Sequence, residues 1–239
     1  TAVDAVLSLT ASPREAPITL LSRRGLLPRA HLLAPEPPVH LDELVARLLA
    51  AKSGLQIRAL CRALRREVRE RSTQGVDWRR VIDGLRPHTQ RLWSALPEGE
   101  RRRFLRHLRP FWEPHRHRMA APVAERFAEL CHSGLVRVVA GRVASAVASD
   151  EHVALTLAPR GTQPATTLDA AWVVNCTGPS PANQVGSNAA IGSLLVDGWL
   201  RADELGLGVE TTAQGRAIDE HGGVVPDLFV VGTLRKPGL

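Results

Sequence analysis

The chain has no tyrosine, a single methionine (Met119) and only two lysines, Lys52 and Lys236. Cysteine is scarce too: Cys61, Cys131 and Cys176 stand far apart and are odd in number. That number and spacing exclude a secreted disulfide framework, a C-x-x-C redox pair and a four-cysteine zinc site. No run of about 18 apolar residues occurs, so no stretch is suited to span a bilayer as a helix, and no membrane partner is expected. Residue 1 is Thr, with neither a basic nor an apolar leader after it. The reading is therefore no signal peptide and a reducing, cytoplasmic setting. The chain opens directly into TAVDAVLSL and closes on LRKPGL. Both ends read as cut from a longer protein.

What is present suits a folded domain. Of 239 residues, 44% are hydrophobic and 23% charged, which leaves ample core material and excludes a disordered chain. The net charge is +7, and 29 of the 31 basic residues are arginine. Within residues 58–118, 17 arginines face seven carboxylates, an excess larger than that of the whole chain. All the net basicity therefore sits in one block.

Four textures follow one another. Residues 1–33 place Val3, Val6 and Leu7 at helical spacing, break at Pro13 and Pro17, then run through Ile18 to Leu21 into a Ser-Arg-Arg-Gly turn. Helix then strand is the second half of a βαβ unit. Residues 34–133 enter through the proline-rich APEPPVH and carry four amphipathic stretches, predicting an all-helical insertion. Residues 134–180 turn to strands: an antiparallel pair, then a strand that ends WVVNCTG. Residues 181–239 combine a helix and loops over about 191–205 with a last strand at 227–232.

In a dinucleotide-binding unit, the residue ending the second strand meets the adenosine ribose. A carboxylate there suits the 2′-OH of NAD. Here Ser22, Arg23 and Arg24 suit a 2′-phosphate, through charge-assisted, bidentate contacts. Two arginines after a strand are equally compatible with plain solvated surface. Cys176 reads as a small apolar filler at a strand end rather than a nucleophile, since no His or acid stands near it in sequence. Gly206-Leu-Gly208 resembles a dinucleotide fingerprint but follows a helical stretch and lacks the third glycine, so it reads as a turn. His107, His115, His117 and His132 stand among arginines that would repel a cation, so no metal site is expected.

The Arg-rich block, with Trp78, Trp93, Phe104, Phe111 and Trp112 interleaved, could bind nucleic acid through residues 58–118. The preferred reading is core aromatics and solvated arginine faces. Glu67 and Glu70, three and four residues from several arginines, then supply surface ion pairs.

Taken together, TAVDAVLSL, ITLLSRRGLLPRAH, FWEPHRHRMAAPV, WVVNCTGP, LRADELGLGVE and DLFVVGTLRKPGL resemble, in order, the bacterial FAD/NAD(P)-binding flavoprotein family, whose relatives include flavin-dependent hydroxylases. The resemblance covers nearly the whole chain. It implies an α/β, partial Rossmann-like FAD/NAD(P)-binding fold in which an NAD(P) module is inserted into an FAD module. It makes residues 1–33 and 134–180 parts of the NAD(P) module and 181–239 the C-terminal part of the FAD module. It places Thr177 and Gly178 at the crossing between modules and Gly232 towards the flavin. The family's glycine-rich fingerprints are absent, and Thr233 stands where many such proteins carry an Asp that holds the ribityl chain.

The implied activity is an FAD- and NAD(P)H-dependent oxidoreductase or monooxygenase acting on a small molecule. Its cofactors are FAD and NADP, the latter preferred over NAD, and no residue is singled out as acid, base or nucleophile. The alternative is a truncated, non-catalytic fragment.

Overall fold

The computed structural model describes residues 1–161, 164–178 and 188–238. Two compact units emerge, one from residues 1–86 and 103–176, the other from 87–102 and 177–239. The chain is mixed α/β.

The first unit begins with α1 (Ala2–Leu9), whose Val3 and Val6 are buried, and with β1 (Ile18–Ser22). Four helices of the same unit follow: α2 (Asp42–Leu49), α3 (Ile57–Ser72), α4 (Trp78–Leu85) and, later, α7 (Arg109–Arg116). Asp77 opens α4 by accepting a hydrogen bond from the Arg79 amide at 2.8 Å, an N-cap that satisfies a free first-turn donor. A wider π-type turn, Phe104–Leu108, leads into α7, which carries Pro114 in its interior. Helix α8 (Ala121–His132) then delivers the chain to the sheet.

That sheet has four strands in the order β1-β2-β3-β4, with β2 Val136–Ala148, β3 Val153–Pro159 and β4 Thr166–Ala170. β1 and the first five residues of β2 run parallel, Ile18 opposite Val136 through Ser22 opposite Ala140. From Gly141 onward β2 changes partner and pairs antiparallel with β3, with a register shift between Val143 and Ser145. Gly141 is buried, and a Cβ there would stand 3.0 Å from the Ala158 carbonyl oxygen, so the change of partner falls at a close backbone approach that a side chain would crowd. Val3 and Val6 from α1, Phe127 and Leu130 from α8, and Val136 from β2 form one core cluster.

The proline-rich entry to the helical stretch is fastened down. Val39 is buried and donates its amide to the Arg80 carbonyl at 3.0 Å. Arg80 in turn donates to the Pro37 carbonyl at 2.8 Å and pairs with Glu36 at 2.9 Å. On the next turn of α4, a Cβ at Gly84 would stand 2.0 Å from the Val39 carbonyl oxygen.

The second unit takes α5 (Thr89–Ala95) and most of α6 (Glu98–Arg103) from the helical stretch, with Leu92 and Leu96 buried. The all-helical insertion expected over 34–133 is thus divided between two units. Helix α9 (Ala189–Val196) is capped by the Asn188 side chain, and β5 (Arg216–Ile218) pairs antiparallel with β6 (Val224–Phe229). Leu200, Val209, Ala217, Val225 and Val230 form this unit's core. Among the described residues no helix is long and apolar enough to cross a membrane.

Two expectations are corrected. The strand expected to continue through WVVNCTG stops at Ala170, because Ala170 already faces Val153, the first residue of β3, and nothing remains to pair with the next residues. Trp172 is consequently 88% exposed and Val174 59%, the reverse of a buried strand. The last strand lies at 224–229 rather than 227–232, after which a 3-10 turn, Gly232–Gly238, begins. The region expected as a helix and loops over about 191–205 is a helix ending at Val196 followed by turns and loops.

Candidate functional site

β1 ends in a tight turn. The Gly25 amide donates to the Ser22 hydroxyl at 3.0 Å, and Gly25 has φ +63°, a conformation that favours glycine. Arg23 and Arg24 are the two central residues of that turn. Arg23 is exposed and makes no hydrogen bond or ion pair among the described residues. Arg24 lies with its guanidinium 5.0 Å from the centroid of the Phe111 ring, a cation–π contact on an aromatic that is itself 45% exposed.

Beyond the turn, the two motifs that stood out in sequence are brought together. The Arg29 amide donates to the Pro114 carbonyl at 2.9 Å, the Met119 amide to Arg29 at 2.8 Å and the His31 amide to Met119 at 2.8 Å. SRRGLLPRAH and HRHRM are therefore laced backbone to backbone. Above this seam, Trp78 is flanked by the guanidiniums of Arg79 (4.7 Å) and Arg118 (5.9 Å), and His115 meets it edge-on at 5.0 Å. Arg79 donates to the Ala30 carbonyl at 2.6 Å and pairs with Asp77.

Arg118 is the most constrained of these groups. Its side chain is 1% exposed, it pairs with Asp83, and its Nε has no partner. Asp83 also accepts from Arg86 at 3.0 Å. His31 responds to this ensemble. Desolvation of its imidazole, then the Arg118 charge, hold its pKa below the ordinary 6.5; Asp83 opposes, and Arg86 and Arg79 add smaller depressions. The ring is thus kept neutral close to neutral pH.

The Asp83–Arg118 pair spans 35 residues and has no local signature in the sequence. The only signal was indirect, the density of arginine and histidine at 115–118. The aromatics expected in the core are half-buried or exposed instead, and Trp78, Trp93 and Phe111 are covered by arginines; Trp93, in the second unit, faces Arg101 at 5.8 Å.

The other candidates are dispersed. Thr177, Gly178 and Gly232 belong to the second unit, whereas Ser22, Arg23 and Arg24 belong to the first. Gly178 and Gly232 both have positive φ (+71° and +79°), and a Cβ at either would meet nothing within 4 Å. Gly206 and Gly208 form a turn held by Asp203, whose carboxylate accepts from the amides of Leu205 and Leu207. Gly208 packs so closely that a Cβ would stand 2.0 Å from the Leu234 carbonyl oxygen, which explains that glycine without a phosphate.

His117 pairs with Glu113 at 3.1 Å, and His132 bonds the Ala128 carbonyl. Among the described residues no three His, Cys, Asp or Glu side chains gather as a metal site. Cys176 is half-buried and makes no hydrogen bond among the described residues.

Fold and site together define a mixed α/β chain with an arginine-bearing turn at a strand end and an arginine-flanked tryptophan nearby. Comparison with family models, with curated proteins and with solved structures returned no match to this chain.

Proposed function

We propose that the chain is the nucleotide-binding part of an FAD- and NAD(P)H-dependent oxidoreductase with a Rossmann-like fold, and that it prefers NADPH to NADH. One observation carries the reading: the turn bearing Ser22, Arg23 and Arg24 ends a strand that runs parallel to its neighbour. In parallel α/β sheets, ligands bind off the carboxyl ends of the strands.

The residues there fit a 2′-phosphate. Arg23 presents an unengaged donor fork, and Arg24 lies over the Phe111 ring without a hydrogen bond to the described residues, so its N–H donors remain for a phosphate oxygen. Ser22, whose oxygen accepts from Gly25, retains its own proton to donate. For FAD, the open backbone at Gly178 and Gly232 suits a close approach by the cofactor, with Thr177 beside it. When bound, NADPH supplies a hydride and FAD passes the electrons to an acceptor or to oxygen. The residues of this chain hold and orient.

Calorimetric titration with NADP+ and NAD+ tests the phosphate contact. Charge-assisted hydrogen bonds contribute about 1.5–3 kcal/mol each, so R23A/R24A should weaken NADP+ at least roughly tenfold and leave NAD+ almost unchanged. Equal weakening of both would show that the pair does not read the 2′-phosphate. Stoichiometric flavin in the purified chain supports the FAD assignment; a colourless protein that takes up no added FAD favours the non-catalytic fragment.

A further inference from the structure

Helix α3 differs from the other basic stretches. Arg58, Arg62, Arg65, Arg66 and Arg69 recur at intervals of four, three, one and three, so at 3.6 residues per turn all five fall within an arc of about 100°. All five are exposed. The opposite side is used: Ile57 and Leu60 are buried, and α3 packs against α2 and α4.

The carboxylates of the helix do not neutralise this stripe. Glu67 turns away to pair with Arg71 at 2.8 Å, and Glu70 lies off the arc. None of the five arginines forms an ion pair among the described residues; Arg62 merely reaches the Arg58 carbonyl at 3.4 Å. Of the surface ion pairs expected from sequence on α3, Glu67–Arg71 forms, while the five-arginine stripe is solvated without one among the described residues. Five like charges held together without counter-charges repel one another and favour an anionic partner.

We infer that this face of α3 binds the phosphodiester backbone of nucleic acid without reading its bases. Length and chemistry both favour that partner. From Arg58 to Arg69 the helix rises about 16.5 Å, which at 3.4 Å of duplex rise per nucleotide of one strand matches about five phosphates. Arginine presents a planar donor fork that engages phosphate oxygens in pairs. No exposed large apolar side chain lies on α3, whose apolar side is packed, so the helix has nothing to insert into a bilayer. No aromatic lies on the stripe to stack unpaired bases, which favours the duplex over the single strand.

Fluorescence anisotropy of the full 239-residue chain with a mixed-sequence 20-base-pair duplex, and with one of its strands, tests this. Five phosphate contacts give a slope of log K against log salt near −4.5 for the duplex, a loss of roughly 500-fold between 50 and 200 mM salt. R62Q/R65Q/R66Q should flatten that slope to about −1.8. R137Q/R142Q/R160Q removes the same charge from elsewhere in the same unit and should keep most of the original slope. Unchanged circular dichroism and thermal midpoint confirm that each variant is folded. Equal flattening by both triple variants would reduce the effect to net charge and overturn the proposal. So would absence of duplex binding at low salt, tighter binding of the single strand, or tighter binding of phosphatidylserine vesicles or polyglutamate.

Discussion

Arg118 shows how much one buried charge can demand of its surroundings. With 1% of its side chain exposed, it has exchanged water for Asp83 and the face of Trp78. Removing one partner of a buried pair leaves the other charge uncompensated, at a cost of about 3–5 kcal/mol. We expect D83A to approach the lower end of that range in urea denaturation, because Asp83 itself keeps some solvent contact. D83L/R118M should be less destabilised than D83A alone; if the double variant is worse, the pair contributes net stability.

His31 supplies a pH dependence from the same cluster. Its pKa is lower in the fold than in the unfolded chain, so the unfolded chain takes up the proton first as pH falls. Stability is unaffected above the ordinary 6.5 and declines as pH drops from there towards the folded value. H31Q should flatten the stability–pH curve in that window relative to the parent, and denaturation midpoints measured from pH 5 to 7.5 would show it. An identical curve for both proteins would remove His31 from the account.

At the scale of elements, the legible features were those with a local period. Helices α2, α3 and α4 announce themselves through apolar residues three and four apart, and β1, β2 and β3 through short apolar runs between turns. What depended on a distant neighbour was not legible. The residues after Ala170 have as much strand character as those before it, but β3 offers them no partner, since its first residue Val153 already faces Ala170. The stretch from 87 to 102 looks like its helical neighbours yet sorts with the C-terminal residues, because no local period states which core its leucines join. At the candidate site, the Ser-Arg-Arg-Gly turn was readable from its residues, whereas the seam between 29–31 and 114–119 depends on tertiary pairing.

Gly84 is a sharper case of the same conflict. Propensity alone says that Gly→Ala inside a helix gains about 1 kcal/mol. The Val39 carbonyl oxygen, 2.0 Å from where the Cβ would stand, reverses the sign. G84A should cost about 1–3 kcal/mol, as overpacking does, read from the shift in urea midpoint at unchanged slope. A stabilised G84A would mean that the backbone at Val39 can give way.

For the whole molecule, the three cysteines are free, and stability owes nothing to a covalent link. Burial pushes the thiol pKa of Cys131 up, and burial does the same for Cys61 against an opposing Arg65. Both should react slowly with iodoacetamide near neutral pH, and dithiothreitol should leave the thermal midpoint unmoved. Rapid labelling at either position, resolved by peptide mass spectrometry, would contradict that burial.

The proline-rich stretch before α2 has a consequence in time. Its anchors, the Arg80 side chain and carbonyl and the bare backbone at Gly84, all lie on α4, some forty residues further along the chain. On a ribosome, residues 36–41 therefore emerge well before anything exists to hold them. The strap closes only after α4 has been made, so the first helices of the block reach their final packing late, as a group, rather than one by one as they appear.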